Sequence, residues 1–421
     1  MIVSARLSLA RPDGFSREQA IKKLTEAEDY RDLVDKERRL LADLYQRQDR
    51  WVECKSVMLD LLADNPKDMQ LLDPWLTWLL EHDEEQTAAR WVKNCPQNSV
   101  AAIRTLAHLD VRQGRSRKAA ERLAEIIPKD LKPKDAHLLR LVGTLFEQLA
   151  EHDDRMYSAA EKSLRRYVEL QPNDTMALAS FLGRRGREED VKEAIDLCAE
   201  QIKTDNAPQA FQMIVGILRR NRQMFAEGGT EIETTVRGLF EEAQENSNDP
   251  GLILQRSEFE NLVGKPREAE QWLIEFLKLP NVSPHQRAIV ANNLAYMLAL
   301  RGEAKKSKKY IDEAIEILGP IADLRDTIGM VYYAGGEYDK AIKEFESAID
   351  DGGATAFKLA HLSMAHFGNE NPTESARALK RAISMGLDTR KMSKLELEVH
   401  EKLVDGLKSA GAITDADLGN E

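Results

Sequence analysis

Residues 323–353 read DLRDTIGMVYYAGGEYDKAIKEFESAIDDGG, and this stretch decides the fold. Small and large residues follow a fixed order in it, at Gly329, Tyr332, Gly336, Tyr338, Ala341, Phe345 and Ala348. The same order recurs 34 positions upstream, at Ala295, Leu298, Gly302, Ala304, Ser307, Ile311 and Ala314. It recurs with more drift 34 positions downstream, at Ser363, His366, Glu370, Pro372, Ser375, Leu379 and Ala382. Three successive copies predict a 34-residue repeat of two amphipathic helices.

The ends of the helices are marked by turn and capping residues. Gly302, Gly335 and Gly336 are predicted to end first helices in the left-handed conformation that glycine adopts without strain. Helix starts are predicted at three capping sequences, which are Asp249-Pro250, Ser283–Gln286 and Asn371–Glu374. A hairpin of this kind cannot bury its apolar face alone, so its neighbours must stack against it.

The pattern resembles that of tetratricopeptide repeat proteins over nearly the whole chain. The segment NNLAYMLALRGEAKKSKKYIDEAIEILGP (residues 292–320) is similar to long bacterial members of that family. The resemblance implies an all-α fold, a right-handed α-solenoid of roughly ten helical hairpins with a C-terminal capping helix. In this family the first helix of each hairpin typically lines an inner groove that holds peptide or protein partners.

The drift of the pattern along the chain predicts a division into segments. We expect a partial N-terminal hairpin (1–34), degenerate repeats (35–249), regular repeats (250–287, 288–321, 322–355 and 356–389), a capping helix (390–410) and a frayed acidic tail (411–421). Ser393–Glu396 is a capping box that opens the capping helix. At the other end, Ile2–Ala10 resembles the tail of a first helix, and Ser16–Gln19 is predicted to cap its partner. One hypothesis is therefore that the chain continues a longer solenoid or packs its N-terminal face on another chain.

The inward-facing positions of the regular repeats predict a binding surface. They are Asn292, Tyr296, Asp323, Asp326, Met330, Tyr333, Phe357, Met364 and Phe367. We expect these side chains to form an exposed strip that is mainly apolar and aromatic, with Tyr296, Tyr333 and Phe367 as anchors. An exposed strip of this kind marks an interaction surface. The alternative is that these side chains fill gaps between helices.

Two partner sites known in the family are not matched by this sequence. Chaperone-binding members clamp a carboxylate with lysine, asparagine and arginine, but here Asn293 is the one clear match, and Leu254 and Phe357 stand at lysine positions. The asparagine ladder of glycosyltransferase-linked members is also absent, since Thr327 and His361 follow Asn293 in the repeat register.

Composition argues against several other classes of protein. The net charge of −12 does not favour non-specific nucleic-acid binding, which needs a broad basic face. The three cysteines are far apart and predict buried thiols, not disulfides or a metal site. His361 and His366 lie five positions apart, on different helix faces, so we expect no metal and no cofactor. No apolar run is long enough to span a membrane and the first residues lack a signal-peptide layout, which predicts a cytoplasmic protein.

These observations predict a non-enzymatic scaffold that binds a protein or peptide in its groove. One alternative is a recruiting or regulatory arm of a larger enzyme, fused to a kinase or transferase domain upstream. Another is an assembly factor of the cell envelope or of an export system. The sequence leaves the partner and the oligomeric state open.

Overall fold

The computed structural model describes residues 14–28, 30–203, 207–225, 229–245, 247, 249–389 and 392–418, and these contain α-helices and short 3-10 turns but no strand. The α-helices are α1 (Gly14–Glu28), α2 (Asp35–Arg47), α3 (Trp51–Asp64), α4 (Met69–Glu81), α5 (Glu85–Trp91), α6 (Val100–Arg112), α7 (Ser116–Ala124), α8 (Ala136–Ala150), α9 (Arg155–Leu170), α10 (Met176–Arg185), α11 (Glu188–Ile202), α12 (Ala207–Arg220), α13 (Glu231–Glu245), α14 (Pro250–Leu262), α15 (Pro266–Lys278), α16 (Pro284–Leu300), α17 (Ala304–Leu318), α18 (Ala322–Ala334), α19 (Tyr338–Gly352), α20 (Ala356–Gly368), α21 (Pro372–Ser384) and α22 (Lys394–Ser409). Within the described ranges, α2 to α21 follow one another as ten consecutive pairs, which confirms the all-α solenoid.

The chain forms two compact units that divide between Phe181 and Leu182, inside α10. In the first unit the fully buried Trp75 stacks on Trp51 with ring centroids 5.6 Å apart and meets the edge of Trp91 at 6.5 Å. The second unit has its own apolar interior. Its largest fully buried side chains are Phe211, Phe240, Phe259, Phe276 and Phe345.

The two helices of each regular hairpin meet at a pair of small residues twelve positions apart. The pairs are Ser257 and Ala269, Ala295 and Ser307, Gly329 and Ala341, and Ser363 and Ser375. Where a serine is present, its buried hydroxyl donates a hydrogen bond to the carbonyl of the opposite helix. The donor–acceptor distances are 2.9 Å from Ser257 to Ala269, 2.5 Å from Ser307 to Ala295 and 2.8 Å from Ser363 to Ser375. In the remaining pair the ring of Phe345 lies directly on Gly329.

The turn between the two helices uses one left-handed residue per repeat. Gly302 and Gly336 have φ angles of 76° and 73°, as predicted, and Glu370 adopts 57° at the equivalent position. The prediction was wrong for Gly335, whose φ is −85°, because it is the last capping residue of α18 and the chain reverses one residue later.

The predicted helix starts are largely confirmed. The side chains of Asp249, Ser283 and Asn371 accept hydrogen bonds from the first turns of α14, α16 and α21, and Ser393 does the same for α22. The prediction that Ser16 caps the first described helix was wrong, because α1 already begins at Gly14. The helix expected over Ile2–Ala10 lies outside the described residues.

The segment after α22 is packed over its described part, although we expected a frayed tail. Ile413 is buried, and the Asp417 carboxylate lies 2.9 Å from the Lys380 ammonium on α21. The backbone amide of Thr414 donates to the same Asp417 carboxylate at 2.8 Å. These contacts attach residues 411–418 to the last hairpin, which the acidic composition alone did not indicate.

The close contact at Gly329 can be tested with Gly329→Ala. A Cβ at this position would lie 2.5 Å from Cε1 of Phe345, so we expect the free energy of unfolding to fall by about 1–3 kcal/mol. The matched control is Gly216→Ala in the interior of α12, where a Cβ would meet nothing within 4 Å. That change should raise the free energy of unfolding by about 0.5–1 kcal/mol through helix propensity. Urea titrations of both variants measure the difference, and equal effects would contradict the proposed contact.

Candidate functional site

Three successive first helices of the second unit each contribute one polar residue to a hydrogen-bonded chain. Nδ1 of His361 on α20 lies 3.0 Å from the Asp326 carboxylate on α18. Nε2 of the same ring lies 3.1 Å from the Tyr296 hydroxyl on α16. The His361 side chain is only 8% exposed, so its bonds to these two residues replace the water that it has lost. Inward-facing positions two hairpins apart are therefore connected directly.

The C-terminal helix α22 completes this chain. The Tyr296 hydroxyl donates to Oε1 of Glu396 at 2.7 Å, across 100 positions of sequence. The other oxygen of Glu396 accepts the backbone amide of Ser393 at 2.5 Å, as part of the capping box that begins α22. One carboxylate thus caps α22 and also binds it to α16.

The hydrogen bonds determine the protonation state of His361. The Tyr296 hydroxyl donates its single proton to Glu396, so it must accept from Nε2, and the Asp326 carboxylate can only accept from Nδ1. Both ring nitrogens then carry protons, which makes the ring a cation. Burial lowers the pKa of His361, but the charges of Asp326 and Glu396 and the hydrogen bond to Asp326 outweigh it and raise that pKa overall.

Two further groups respond to the charge of Glu396. Burial, followed by the charge of Glu396, raises the pKa of Tyr296 well above its ordinary value, so its hydroxyl remains a donor. Burial lowers the pKa of Arg222, in the turn after α12, while Glu396 opposes that shift. The carboxylate of α22 therefore lies among a hydroxyl donor, an imidazolium and a guanidinium.

Apolar contacts continue the docking of α22 towards its C-terminus. Leu403 and Leu407 are buried in the same cluster as Met330 and Met364. A Cβ on Gly406 would overlap the ring of Phe367, so the helix backbone lies directly against that ring. We call the inward-facing surface of α16, α18 and α20 the inner groove, which α22 contacts at Tyr296 and Phe367; its residues are Tyr296, Asp326, Met330, His361, Met364 and Phe367.

Five of the nine residues predicted from sequence belong to the inner groove, and a sixth, Asn292, lies one turn before Tyr296. The expectation of an exposed strip was wrong for Met330 and Met364, which are buried in the cluster that includes residues of α22. Tyr333 is half-buried against Tyr338, with ring centroids 5.7 Å apart. Phe357 is half-buried on α20, and the side chain of Asp323 lies outside the described residues.

Sequence reasoning missed the residues that close the inner groove. The repeat register aligned His361 with Asn293 and Thr327, but this histidine was considered only as a possible metal ligand. Glu396 was identified only as a helix cap, and Gly406 was not noticed. The repeat register is the signal that could have found His361, since Asn293, Thr327 and His361 occupy equivalent positions 34 residues apart. Nothing periodic connects Glu396 to Tyr296.

The first unit contains a separate cavity of about 450 Å³ between α4, α6 and α8. His108 and His152 line it, with ring centroids 4.9 Å apart in an edge-on arrangement. Burial, assisted by His152 and Arg112, lowers the pKa of His108 to about 4, so that ring is neutral near pH 7. Arg104, a third polar residue of the lining, donates to Asp73 at 2.9 Å and to Thr77 at 2.7 Å. The cavity offers a neutral imidazole beside leucine side chains.

The described part of the chain contains no group of three or more His, Cys, Asp or Glu side chains arranged for a metal ion. Cys54, Cys95 and Cys198 are buried and free, and burial raises the pKa of Cys54 and of Cys198 to about 12. These two thiols therefore stay protonated, as buried structural cysteines do. No helix in the described ranges has the length and apolar character needed to cross a membrane.

Comparison with known proteins identifies the repeat. Residues 322–350, which comprise α18 and most of α19, match the family described as "Tetratricopeptide repeat". No match was found among curated proteins.

Several solved structures of helical repeat proteins are similar to this chain. A tetratricopeptide repeat protein from Parabacteroides merdae is 16% identical with a TM-score of 0.39, over 73% of this chain and 97% of that one. The APC/C hetero-tetramer Cut9–Hcn1 is 12% identical with a TM-score of 0.34, over 97% of this chain and 90% of that one. Yeast Tom70 is 13% identical with a TM-score of 0.32, over 96% of this chain and 94% of that one.

The charge on His361 predicts a pH dependence of stability. Because its pKa is raised in the folded protein, its stabilising contribution is complete below the unfolded value of about 6.5 and is lost as the pH rises through the folded value. We expect the free energy of unfolding to fall as the pH rises from about 6.5 through the folded pKa of His361. In His361→Gln this decrease of the free energy of unfolding with pH should be absent. Urea titrations at a series of pH values measure it.

The control for this prediction is His366→Gln on the same helix. Burial lowers the pKa of His366, so its contribution to the free energy of unfolding changes with pH only below the ordinary value of about 6.5. The pH dependence of the free energy of unfolding above about 6.5 should therefore be unaffected by His366→Gln. An alkaline slope that survives in His361→Gln would show that His361 is not the group responsible.

Proposed function

We propose that this tetratricopeptide repeat protein is a non-enzymatic scaffold that binds a protein or peptide partner in the inner groove of its second unit. A helical repeat fold is typical of such scaffolds, and their partners are typically proteins. The observation that carries the proposal is the docking of α22, because it supports the view that the inner groove accepts an amphipathic helix. Leu403 and Leu407 contact its apolar part, and Glu396 contacts its polar part.

The composition of the inner groove suits such a partner. Methionine side chains adapt to different apolar surfaces, and Met330 and Met364 lie at equivalent positions of successive repeats. Aromatic rings next to them supply large contact areas at low entropic cost, as Phe367 does against α22. The buried polar chain adds specificity, because a partner that left Tyr296 without an acceptor would bury an unsatisfied hydroxyl. The net charge of −12 supports a protein partner over a nucleic acid.

A cytoplasmic location and a bacterial origin stay predictions from the sequence. The contacts described for the inner groove favour neither of the two alternatives, an enzyme-fused arm or an envelope assembly factor.

The proposal predicts that a partner is lost when the edge of the inner groove is charged. Affinity capture from native extract should compare the intact chain with Tyr333→Asp/Phe357→Asp. These half-buried aromatic residues lie one turn from Met330 on α18 and one turn from His361 on α20, beside the inner groove. We expect the variant to lose at least one protein that the intact chain captures, since a buried carboxylate on an apolar contact surface is strongly unfavourable.

Tyr30→Asp is the matched control, because Tyr30 is an 80% exposed aromatic in the first unit. It should retain every captured protein. Circular dichroism must show equal helicity for all three proteins. Partners that all persist in the double variant would move binding away from the groove, and an intact chain that captures nothing would argue against a scaffold.

A further inference from the structure

The helix α22 has the form of a ligand for the groove it occupies. Glu396, Val399, Leu403 and Leu407 are spaced by three, four and four residues, which places them on one helix face. That face contacts the inner groove through Glu396 and the two buried leucines. The opposite face, with Glu398, Glu401, Lys402 and Asp405, is exposed. This is the pattern by which amphipathic helices bind grooves.

The position of α22 differs from that of a first helix in another repeat. Like such a helix, α22 packs on the hairpin just before it, where Gly406 lies against Phe367, but it also reaches back to Tyr296 on α16, two hairpins before that one. Its first residue, Lys394, also reaches the turn after α14, where its Cδ would lie 3.4 Å from a Cβ on Gly264. It thus lies across several first helices, as an external peptide would.

One buried polar atom beside the inner groove has no hydrogen-bond partner among the described residues. The side-chain oxygen of Asn292 is buried and accepts no hydrogen bond from any residue that the structure describes. Asn292 precedes Tyr296 by four positions and so lies on the same face of α16. A helix that offered a donor there would gain a hydrogen bond that α22 does not make, since an unsatisfied buried polar atom is costly.

We propose that α22 is a replaceable occupant of the inner groove, and that its replacement is an amphipathic helix of a partner protein. That helix carries a carboxylate followed by apolar residues three, seven and eleven positions later, as α22 does. It also offers a donor to Asn292. This inference rests on the proposed function of the inner groove as a partner site.

The requirement for a carboxylate follows from the polar chain. When α22 leaves, the Tyr296 hydroxyl loses its acceptor, and the imidazolium of His361 and the guanidinium of Arg222 lose a nearby negative charge. A partner helix without an acidic residue would leave the Tyr296 hydroxyl without an acceptor in a poorly solvated place, and Asp326 would be the remaining carboxylate beside His361. Charge complementarity therefore selects among amphipathic helices.

The test uses the full chain and a labelled peptide with the sequence of residues 392–410. In the intact chain, α22 is tethered and present at an effective concentration of the order of millimolar, so the peptide should bind poorly. Leu403→Asp/Leu407→Asp in the chain places charges in the apolar contact and should release α22. We expect the released chain to bind the peptide about tenfold more tightly or better by fluorescence anisotropy.

Three controls make this result specific. Lys402→Asp changes the exposed face of α22 and should leave peptide binding as weak as in the intact chain. Gly406→Leu releases α22 without adding charge, because the side chain would overlap Phe367, and it should act like the double variant. A peptide with Glu396→Gln should bind the released chain several-fold more weakly, since it loses the charged acceptor for Tyr296.

The possible outcomes separate this inference from the proposed function. Tighter peptide binding that depends on release and on Glu396 supports the inference. If neither released chain binds the peptide while the groove-dependent captured partner still binds, α22 is only a structural cap and the inference is overturned, although the scaffold function stands. If light scattering shows that the intact chain dimerises by exchanging α22, the occupant is a second copy and the inference is also overturned.

Discussion

The close packing of two helices at a pair of small residues is the contact on which the second unit depends. Serine hydroxyls donate across this contact in three of the regular hairpins, and Phe345 covers Gly329 in the fourth. Because the same face of each first helix is held against its partner, the opposite face is held in a fixed direction. Inward-facing residues at neighbouring positions of the repeat register then come close together, and Tyr296, Asp326 and His361 lie within hydrogen-bonding distance.

The hairpin of α20 and α21 creates a second constraint, because the apolar face of a repeat hairpin must be covered by the element that follows it. The described part of the C-terminal segment meets this need in two ways. Residues after α22 attach to α21 through Asp417 and Lys380, and α22 itself turns across the first helices. Stability and groove occupancy therefore share the same side chains. Glu396 is the clearest example, since its two oxygens cap α22 and bind Tyr296.

The sequence predicted the fold where the interactions are local or periodic. The 34-residue register located the hairpins and the inward positions, and capping residues located most helix starts. The sequence failed to predict contacts between residues that are far apart along the chain. The hydrogen bond between Tyr296 and Glu396, for example, leaves no periodic pattern in the sequence. The junction between the degenerate and the regular repeats shows the same limit. There the buried Glu260 pairs with Arg237 and Arg256, and Arg256 also lies over the rings of Phe240 and Phe259. Such a charged cluster follows no alternation of small and large residues.

A tethered occupant can be replaced only if its own hold on the groove is moderate. Tethering raises its effective concentration, so a free partner must make better contacts to compete. Two features limit how tightly α22 can bind. Its carboxylate is divided between a capping bond and Tyr296, and it leaves the oxygen of Asn292 unsatisfied. The imidazolium of His361 adds a third limit, because loss of its proton removes a donor to either Asp326 or Tyr296 and weakens the hydrogen-bonded chain that ends on α22. The contact that closes the groove is therefore the one that responds to protonation.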